Sequence, residues 1–165
     1  MRFRMGVLLI AVASLFFAIG RTTAERSTAL NRQTQDNLST AMHGEAFAYA
    51  KYLLYAQHAQ QNGNLKIANL FEDTARVERF QHFEEEAQLA RLVGSEVDNL
   101  KDAIKGESYE VDTMYADFAK QATAAGDKEA AERFEEIRQD EMSHRDLFKS
   151  ALVTIQQVNA GASHP

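Results

Sequence analysis

The sequence predicts an all-α fold, a four-helix bundle made of two helix hairpins. The chain has 165 residues with one proline, eight glycines and no cysteine, so it lacks the turn residues that a sandwich or barrel of many short strands needs. Four long segments instead carry apolar residues three and four positions apart, which is the pattern of a helix with one buried face. The length suits one globular domain.

The first two helices are predicted at residues 34–61 and 65–92, with the turn sequence Asn62-Gly63-Asn64 between them. The in-phase positions of the first helix are Leu38, Met42, Glu45, Tyr49, Tyr52, Ala56 and Ala59. Those of the second helix are Ile67, Phe71, Thr74, Glu78, Gln81 or His82, Glu85 and Leu89. These two helices form the first hairpin.

The second hairpin begins at Ser95, which is followed three residues later by Asp98 and therefore resembles a helix N-cap. The third helix is predicted to end near Gly126-Asp127, and the fourth to run from about residue 127 to residue 157. The in-phase positions are Val97, Leu100, Ile104, Glu107, Val111, Met114 and Phe118, then Phe134, Ile137, Glu141, His144 and Phe148.

Residues 1–24 read as a signal peptide, which leaves residues 25–165 as the domain. A basic start precedes the uncharged apolar run at residues 6–20, and small residues follow at 22–24, where a signal peptidase would cut. The run is shorter than the roughly 20 residues that a membrane-spanning helix needs. We therefore expect an exported protein, periplasmic or otherwise extracytoplasmic. The alternative is an uncleaved N-terminal membrane anchor.

Charge and cysteine content exclude several classes of protein. The net charge of −6 argues against a nucleic-acid-binding protein, because neutralising phosphates needs a basic surface. Without cysteine there is no disulfide, no cysteine-ligated zinc or iron–sulfur centre and no thiol nucleophile. Any metal ion must be held by His, Asp or Glu.

Each predicted apolar face is interrupted by acidic residues or histidine near the middle of its helix. The two hairpins repeat the pattern: a Gly-Glu pair in the first helix and a Glu with a nearby His in the second. The inward carboxylates are Glu45, Glu78, Glu107, Glu110 and Glu141. Uncompensated buried charges cost several kcal/mol each. The predicted apolar faces carry no Lys or Arg near these carboxylates along the helices. Two divalent metal ions would offset most of the charge of the five carboxylates, and carboxylate with imidazole suits iron or manganese.

Four segments carry a family resemblance: GEAFAYAKY at 44–52, EDTARVE at 72–78, GESYEVDTMYADFA at 106–119 and DEMSH at 140–144. From about Thr40 to Ser150 the sequence resembles the ferritin-like di-iron domain of the rubrerythrin family. The resemblance implies a ferritin-like bundle with two iron ions per site, Mn or Zn being alternatives. The iron ligands that it implies are Glu45, Glu78, Glu107, Glu110, Glu141 and His144, with Glu78 and Glu141 bridging the metal ions.

Tyr52 and Tyr115 fall where the family keeps tyrosines, whose hydroxyl groups could hydrogen-bond the ligating carboxylates. The alternative is that both rings are aromatic core.

The first acid–histidine pair departs from the family pattern, which is Glu-x-x-His. Here the third residue after Glu78 is Gln81, and the histidine is His82. On an α-helix these two positions lie on either side of Glu78, so either can face the site. We favour His82 because imidazole is the better metal ligand.

The link between the hairpins is short. In the ferritin-like arrangement the second and third helices run parallel, so the chain must travel back about 38 Å, whereas Val93-Gly94-Ser95 covers only about 10 Å. Either one helix unwinds early or the hairpins belong to different bundles. We expect a domain-swapped homodimer in which residues 30–92 of one chain pack against residues 96–157 of the other.

The family resemblance implies a di-iron peroxidase, an oxidoreductase that reduces hydrogen peroxide with electrons from a diferrous site. Rubrerythrins usually carry a rubredoxin domain with four cysteines, so this chain would need an external electron donor. A second reading is a ferroxidase or iron-handling protein that consumes oxygen or peroxide. A third is a non-catalytic metal-binding module.

Overall fold

The computed structural model describes residues 30–162, and the secondary structure in that range is helical with no strand. The predictions for residues 1–24 lie outside it. Four helical arms form two hairpins, which confirms the predicted all-α fold. In this range no helix is both long and apolar enough to span a bilayer.

The first hairpin pairs one continuous helix with a segmented one. Helix α1 is Arg32–Gln61. The turn after α1 contains Gly63, whose φ of +74° is a conformation that glycine adopts readily. The returning arm consists of α2 (Leu65–Val77), a π-helical segment π1 (Glu78–His82) and α3 (Phe83–Ala90).

The second hairpin also pairs a segmented arm with a continuous helix, but here the segmented arm comes first in the chain. Its first arm consists of α4 (Glu96–Tyr109), a π-helical segment π2 (Glu110–Met114) and α5 (Tyr115–Ala125), and its second arm is α6 (Lys128–Ala162). Helix α6 continues five residues beyond the predicted end at residue 157. The predicted N-cap is confirmed, because the Asp98 amide donates to Ser95 Oγ at 3.2 Å.

Small side chains fill the buried contact between the two arms of each hairpin, which we call its seam. The buried apolar residues of residues 30–162 are Ala56, Ala59, Ala68, Ala75, Ala87, Val111 and Ala122. Alanine lets the two helical arms of a hairpin approach closely. Many large apolar side chains stay exposed, including Phe47 at 67 % and Leu147 at 68 %.

The two hairpins do not pack against each other within the chain. Across the described residues, α1 contacts α2, π1 and α3, and α6 contacts α4, π2 and α5, but no helix of one hairpin contacts a helix of the other. The linker at residues 91–95 is ordered: the Gly94 amide donates to Asn99 Oδ1 at 2.8 Å, and Asn99 Nδ2 donates to the Gly94 carbonyl at 3.2 Å. Each hairpin therefore has its own seam.

Candidate metal centre

The first hairpin brings together two of the predicted carboxylates and one histidine. Glu45 comes from α1, while Glu78 and His82 are the first and last residues of π1. One donor atom from each of these residues lies within 4.8 Å of the others. His82 Nδ1 is 2.9 Å from Glu78 Oε2 and 3.8 Å from Glu45 Oε2. We call these three residues the first cluster.

Segment π1 explains why His82, and not Gln81, lies beside Glu78. A π turn closes i→i+5 hydrogen bonds and so holds more residues than an α turn. The fourth residue after Glu78 therefore stays near its face, and the third turns away. Gln81 is exposed, and its side chain makes no hydrogen bond to residues 30–162. The extra residue in the Glu-x-x-x-His spacing is the signal in the sequence for this π segment.

The second hairpin builds a matching cluster. Glu107 of α4 meets Glu141 and His144 of α6, again with one donor atom from each within 4.8 Å of the others. His144 Nδ1 lies 2.7 Å from Glu141 Oε2, and this hydrogen bond raises the pKa of His144. Glu110 opens π2 beside them, close enough for the Glu141 charge to act on it. These four residues are the second cluster.

The carboxyl groups of both clusters are hard to ionise together. Burial raises the pKa of Glu45, and the hydrogen bond and charge of Glu78 raise it further. Burial also raises the pKa of Glu107, which lies against Glu141. The pKa of Glu110 is raised by burial and by the Glu141 charge. A bound cation would offset these costs.

The residues present fit a divalent metal ion. Oε2 of Glu107 is buried and has no hydrogen-bond partner in the described part of the chain, and a cation would satisfy such an oxygen. The charged groups that shift the pKa values of Glu45, Glu107 and Glu110 are other acids and the two histidines of the clusters. No Lys or Arg is among these groups. Carboxylate oxygen and imidazole nitrogen are donors that iron and manganese accept.

A family model identifies the family to which the chain belongs. The model described as Rubrerythrin matches residues 36–152, a range that contains every residue of both clusters. The chain belongs to the rubrerythrin family. Family membership implies a di-iron centre and supports a di-iron oxidoreductase of peroxidase-like function, with peroxide as substrate and an electron donor as partner.

Two relatives, from Methanocaldococcus jannaschii and Porphyromonas gingivalis, agree with this assignment. The chain is 31 % identical over 147 residues to a putative rubrerythrin of Methanocaldococcus jannaschii, covering 76 % of this chain and 72 % of that protein. It is 30 % identical to a rubrerythrin of Porphyromonas gingivalis, covering 84 % and 76 %. A solved structure of nigerythrin in its fully reduced, all-ferrous state is 29 % identical, with a TM-score of 0.39 and coverage of 94 % and 81 %.

The two tyrosines sit in aromatic groups, one in each hairpin. The Tyr52 ring packs on Tyr55 and Phe71, and the Tyr115 ring packs on Phe118 and Phe134. Burial and the charges of the second-cluster acids raise the pKa of Tyr115. Within residues 30–162 neither hydroxyl group donates a hydrogen bond to a carboxylate, so the role of both as hydrogen-bond donors to ligands stays a prediction.

The structure also adds two residues that sequence reasoning missed. Glu86 is half-buried, its Oε2 has no hydrogen-bond partner in the described chain, and its charge raises the pKa of Glu45. Because π1 holds an extra residue, the in-phase position after His82 moves to Glu86, and Glu85 is exposed. Arg138 donates from Nε to the Val111 carbonyl of π2 at 2.8 Å, which stabilises the segment that begins with Glu110.

Proposed function

We propose that this protein reduces hydrogen peroxide at a di-iron centre held by both clusters. The observation that carries the proposal is the pair of matching clusters, each with carboxylates and one histidine within reach of a shared metal ion. The proposed ligands are Glu45, Glu78, His82, Glu107, Glu110, Glu141 and His144. Glu78 and Glu141 would each hold metal beside the histidine of their cluster.

The chemistry that iron supplies is the transfer of two electrons. Bound iron would supply the two electrons that, with two protons, reduce hydrogen peroxide to two water molecules, and an external electron donor would restore those electrons. The 165 residues contain no cysteine, so they cannot build a four-cysteine iron site as that donor. The proposed donor is a separate redox protein.

The protein side chains bind the metal ions and handle protons. A ligating carboxylate must be ionised, so bound metal would offset the burial and like charges that raise the pKa values of Glu45, Glu107 and Glu110. A tyrosine hydroxyl is protonated at neutral pH, and burial together with the nearby acids raises the pKa of Tyr115 further. That hydroxyl is therefore available as a proton donor beside the second cluster.

Two further parts of the proposal concern where and in what form the protein works. Export follows from the basic start and the apolar run at residues 6–20. An N-terminal sequence starting at Glu25 on protein from the periplasmic fraction would support export, and intact protein in the membrane fraction would support an anchor instead. The proposed working form is a homodimer, because each hairpin holds only one cluster.

Iron stoichiometry and oxidation rates test the function. The purified protein is reconstituted with Fe(II) without oxygen, and iron is counted before stopped-flow mixing with peroxide or oxygen. We expect two iron ions per chain and much faster oxidation by peroxide. The Glu78→Gln/Glu141→Gln variant should lose the iron, while Glu85→Gln/Glu132→Gln, which changes two exposed acids, should keep it.

The rates and the stoichiometry also separate the other readings. Oxygen reacting as fast as peroxide, with more than two iron ions retained per chain, would support a ferroxidase. A site that holds Zn or Mn and never cycles iron would support a non-catalytic module. Equal iron in both variants would overturn the assignment of the clusters as the metal site.

A further inference from the structure

Segment π2 leaves one backbone carbonyl without its usual helical partner. In an α-helix the Tyr115 amide would donate to the Val111 carbonyl, four residues earlier. In π2 that amide donates instead to the Glu110 carbonyl, five residues earlier. Val111 is only 1 % exposed, so water has little access to it. A buried carbonyl of this kind needs another donor.

The opposite arm of the hairpin supplies that donor. Arg138 of α6 donates from Nε to the Val111 carbonyl at 2.8 Å. The next residue of π2 is also in contact with α6, because Arg145 Nη1 donates to Asp112 Oδ1 at 3.3 Å. The Asp112 side chain is 65 % exposed, and exposed ion pairs contribute little to stability. Arg138 therefore makes the main contact, and Arg145 makes a weaker one.

The two arginines connect π2 to the second cluster through a rigid helix. Arg138 and Arg145 are seven residues apart on α6, about two turns, and Glu141 lies between them. Since α6 is continuous, the position of Arg138 relative to Glu141 is fixed by the helix itself. The hydrogen bond to the Val111 carbonyl therefore also fixes the position of π2 relative to Glu141.

The Arg138 guanidinium does not serve as a counter-ion for the acids of the cluster. Besides burial, the groups that shift the pKa of Glu110 are Glu141 and His144. The Nη1 atom of Arg138 pairs with Glu135 of its own helix at 3.1 Å. The remaining strong contact of this side chain is the one with the backbone of π2, so its effect on the cluster is one of position.

Segment π1 has the same missing partner but no such donor. The Phe83 amide donates to the Glu78 carbonyl, which leaves the Arg79 carbonyl without an α-helical partner. No side chain of residues 30–162 donates to that carbonyl. The proposed ligands account for the difference, because Glu78 and His82 are the first and last residues of π1 and metal would hold both ends. In π2 only the first residue is a proposed ligand.

We propose that Arg138 is a positioning residue that fixes the place of the extra residue in π2 and so keeps Glu110 at the second cluster. Without the hydrogen bond to Val111, the π turn is free to move along the arm. Each residue that it passes turns by about 100° around the helix axis. A shift past Glu110 would carry its carboxylate off the face that it shares with Glu107. The inference rests on the proposed function, because it takes Glu110 as a ligand.

Two substitutions that differ by a single donor test the hydrogen bond. Arg138→Gln places an amide nitrogen where Nε stands, whereas Arg138→Met places a methyl group there, and both remove the charge and the pairing with Glu135. The probe is Co(II), which accepts carboxylate and imidazole and whose visible absorption depends on its ligands. We expect Arg138→Met to weaken Co(II) binding about 10–100-fold, as for other residues that orient a ligand, and to change the spectrum. Arg138→Gln should restore both.

A double variant shows whether Arg138 acts through Glu110. Adding Arg138→Met to Glu110→Gln should cause no further loss of Co(II) affinity and no further change in the spectrum. A further loss as large as the one in the unsubstituted chain overturns the inference, because Arg138 would then act independently of Glu110. Arg133→Met is the control, since it removes an arginine whose side chain is 71 % exposed, and it should bind Co(II) as the unsubstituted chain does.

Deleting Thr113, which is exposed, removes the extra residue and with it the need for Arg138. In the shortened arm the Ala116 amide follows the Val111 carbonyl by four positions and can pair with it. Adding Arg138→Met to this deletion should leave the Co(II) affinity and the urea midpoint unchanged. If Arg138→Met alone does not fold, the deletion should restore folding, and a combined variant that stays unfolded overturns the inference.

The same titrations separate this inference from the proposed function. Arg138→Met with the Co(II) affinity and spectrum of the unsubstituted chain overturns the inference and leaves the proposed function standing. An unsubstituted chain that binds neither Co(II) nor Fe(II) overturns both, because π2 would then have no ligand to position.

Discussion

Replacing His82 tests whether π1 selects the histidine ligand. His82 Nδ1 lies 2.9 Å from Glu78 Oε2 and 3.8 Å from Glu45 Oε2, whereas Gln81 is exposed. Losing a residue that only supports a ligand costs about 10–100-fold in metal affinity, so we expect His82→Ala to weaken iron binding by at least that factor. The factor corresponds to about 1.4–2.7 kcal/mol. Gln81→Ala is the matched control and should shift the free energy of binding by less than about 0.5 kcal/mol.

The assay is an anaerobic competition titration of Fe(II) between the protein and a chromophoric chelator. Urea unfolding of both metal-free variants checks that the helices stay folded, since the His82 side chain is 51 % exposed and contributes little to a core. Deleting Gln81 should keep iron binding within about tenfold, because a regular α turn pairs Glu and His three positions apart, as in Glu141 and His144. Equal losses in both point variants, or a loss only in Gln81→Ala, would refute the role given to π1.

Three other predictions concern the metal-free protein, each followed by urea unfolding. The pKa values of Glu45, Glu107 and Glu110 lie above the ordinary 4.5, and that of His144 above 6.5. Groups whose pKa is raised by folding bind more protons in the folded state, so their contribution to stability is lost as pH rises through those values. The urea midpoint should therefore be higher at pH 5 than at pH 7, and this difference should be smaller in Glu45→Gln/Glu107→Gln. A midpoint that is lower at pH 5 than at pH 7 would contradict this prediction. Ala75 is fully buried in the first hairpin seam, so Ala75→Leu should destabilise by about 1–3 kcal/mol through overpacking, and Ala50→Leu at an exposed position should have little effect. Arg138→Met leaves the Val111 carbonyl without its side-chain partner and should cost about 1–3 kcal/mol; an equal loss in Arg133→Met, whose side chain is 71 % exposed, would argue against a specific role for that hydrogen bond.

The helices and the candidate ligands could be predicted from the sequence because both depend on local rules. Apolar residues three and four positions apart define one face of a helix, and acids that interrupt that face must lie on it. The caps are equally local: Ser95 accepts the Asp98 amide, and Gly126 adopts a φ of +85° where α5 ends. The pairing of Glu141 with His144, three positions apart on α6, follows the α-helical period directly.

Two features were decided only by the tertiary structure. The choice of His82 over Gln81 and of Glu86 over Glu85 depends on one extra residue in π1, and a pattern based on 3.6 residues per turn cannot locate that residue. The packing of π1 against α1 brings His82 and Glu78 to Glu45. The separation of the hairpins depends on the linker, whose residues 91–95 are held by hydrogen bonds to neighbouring helix ends. Periodicity determines which face of a helix carries the ligands, whereas contacts between helices determine which faces meet.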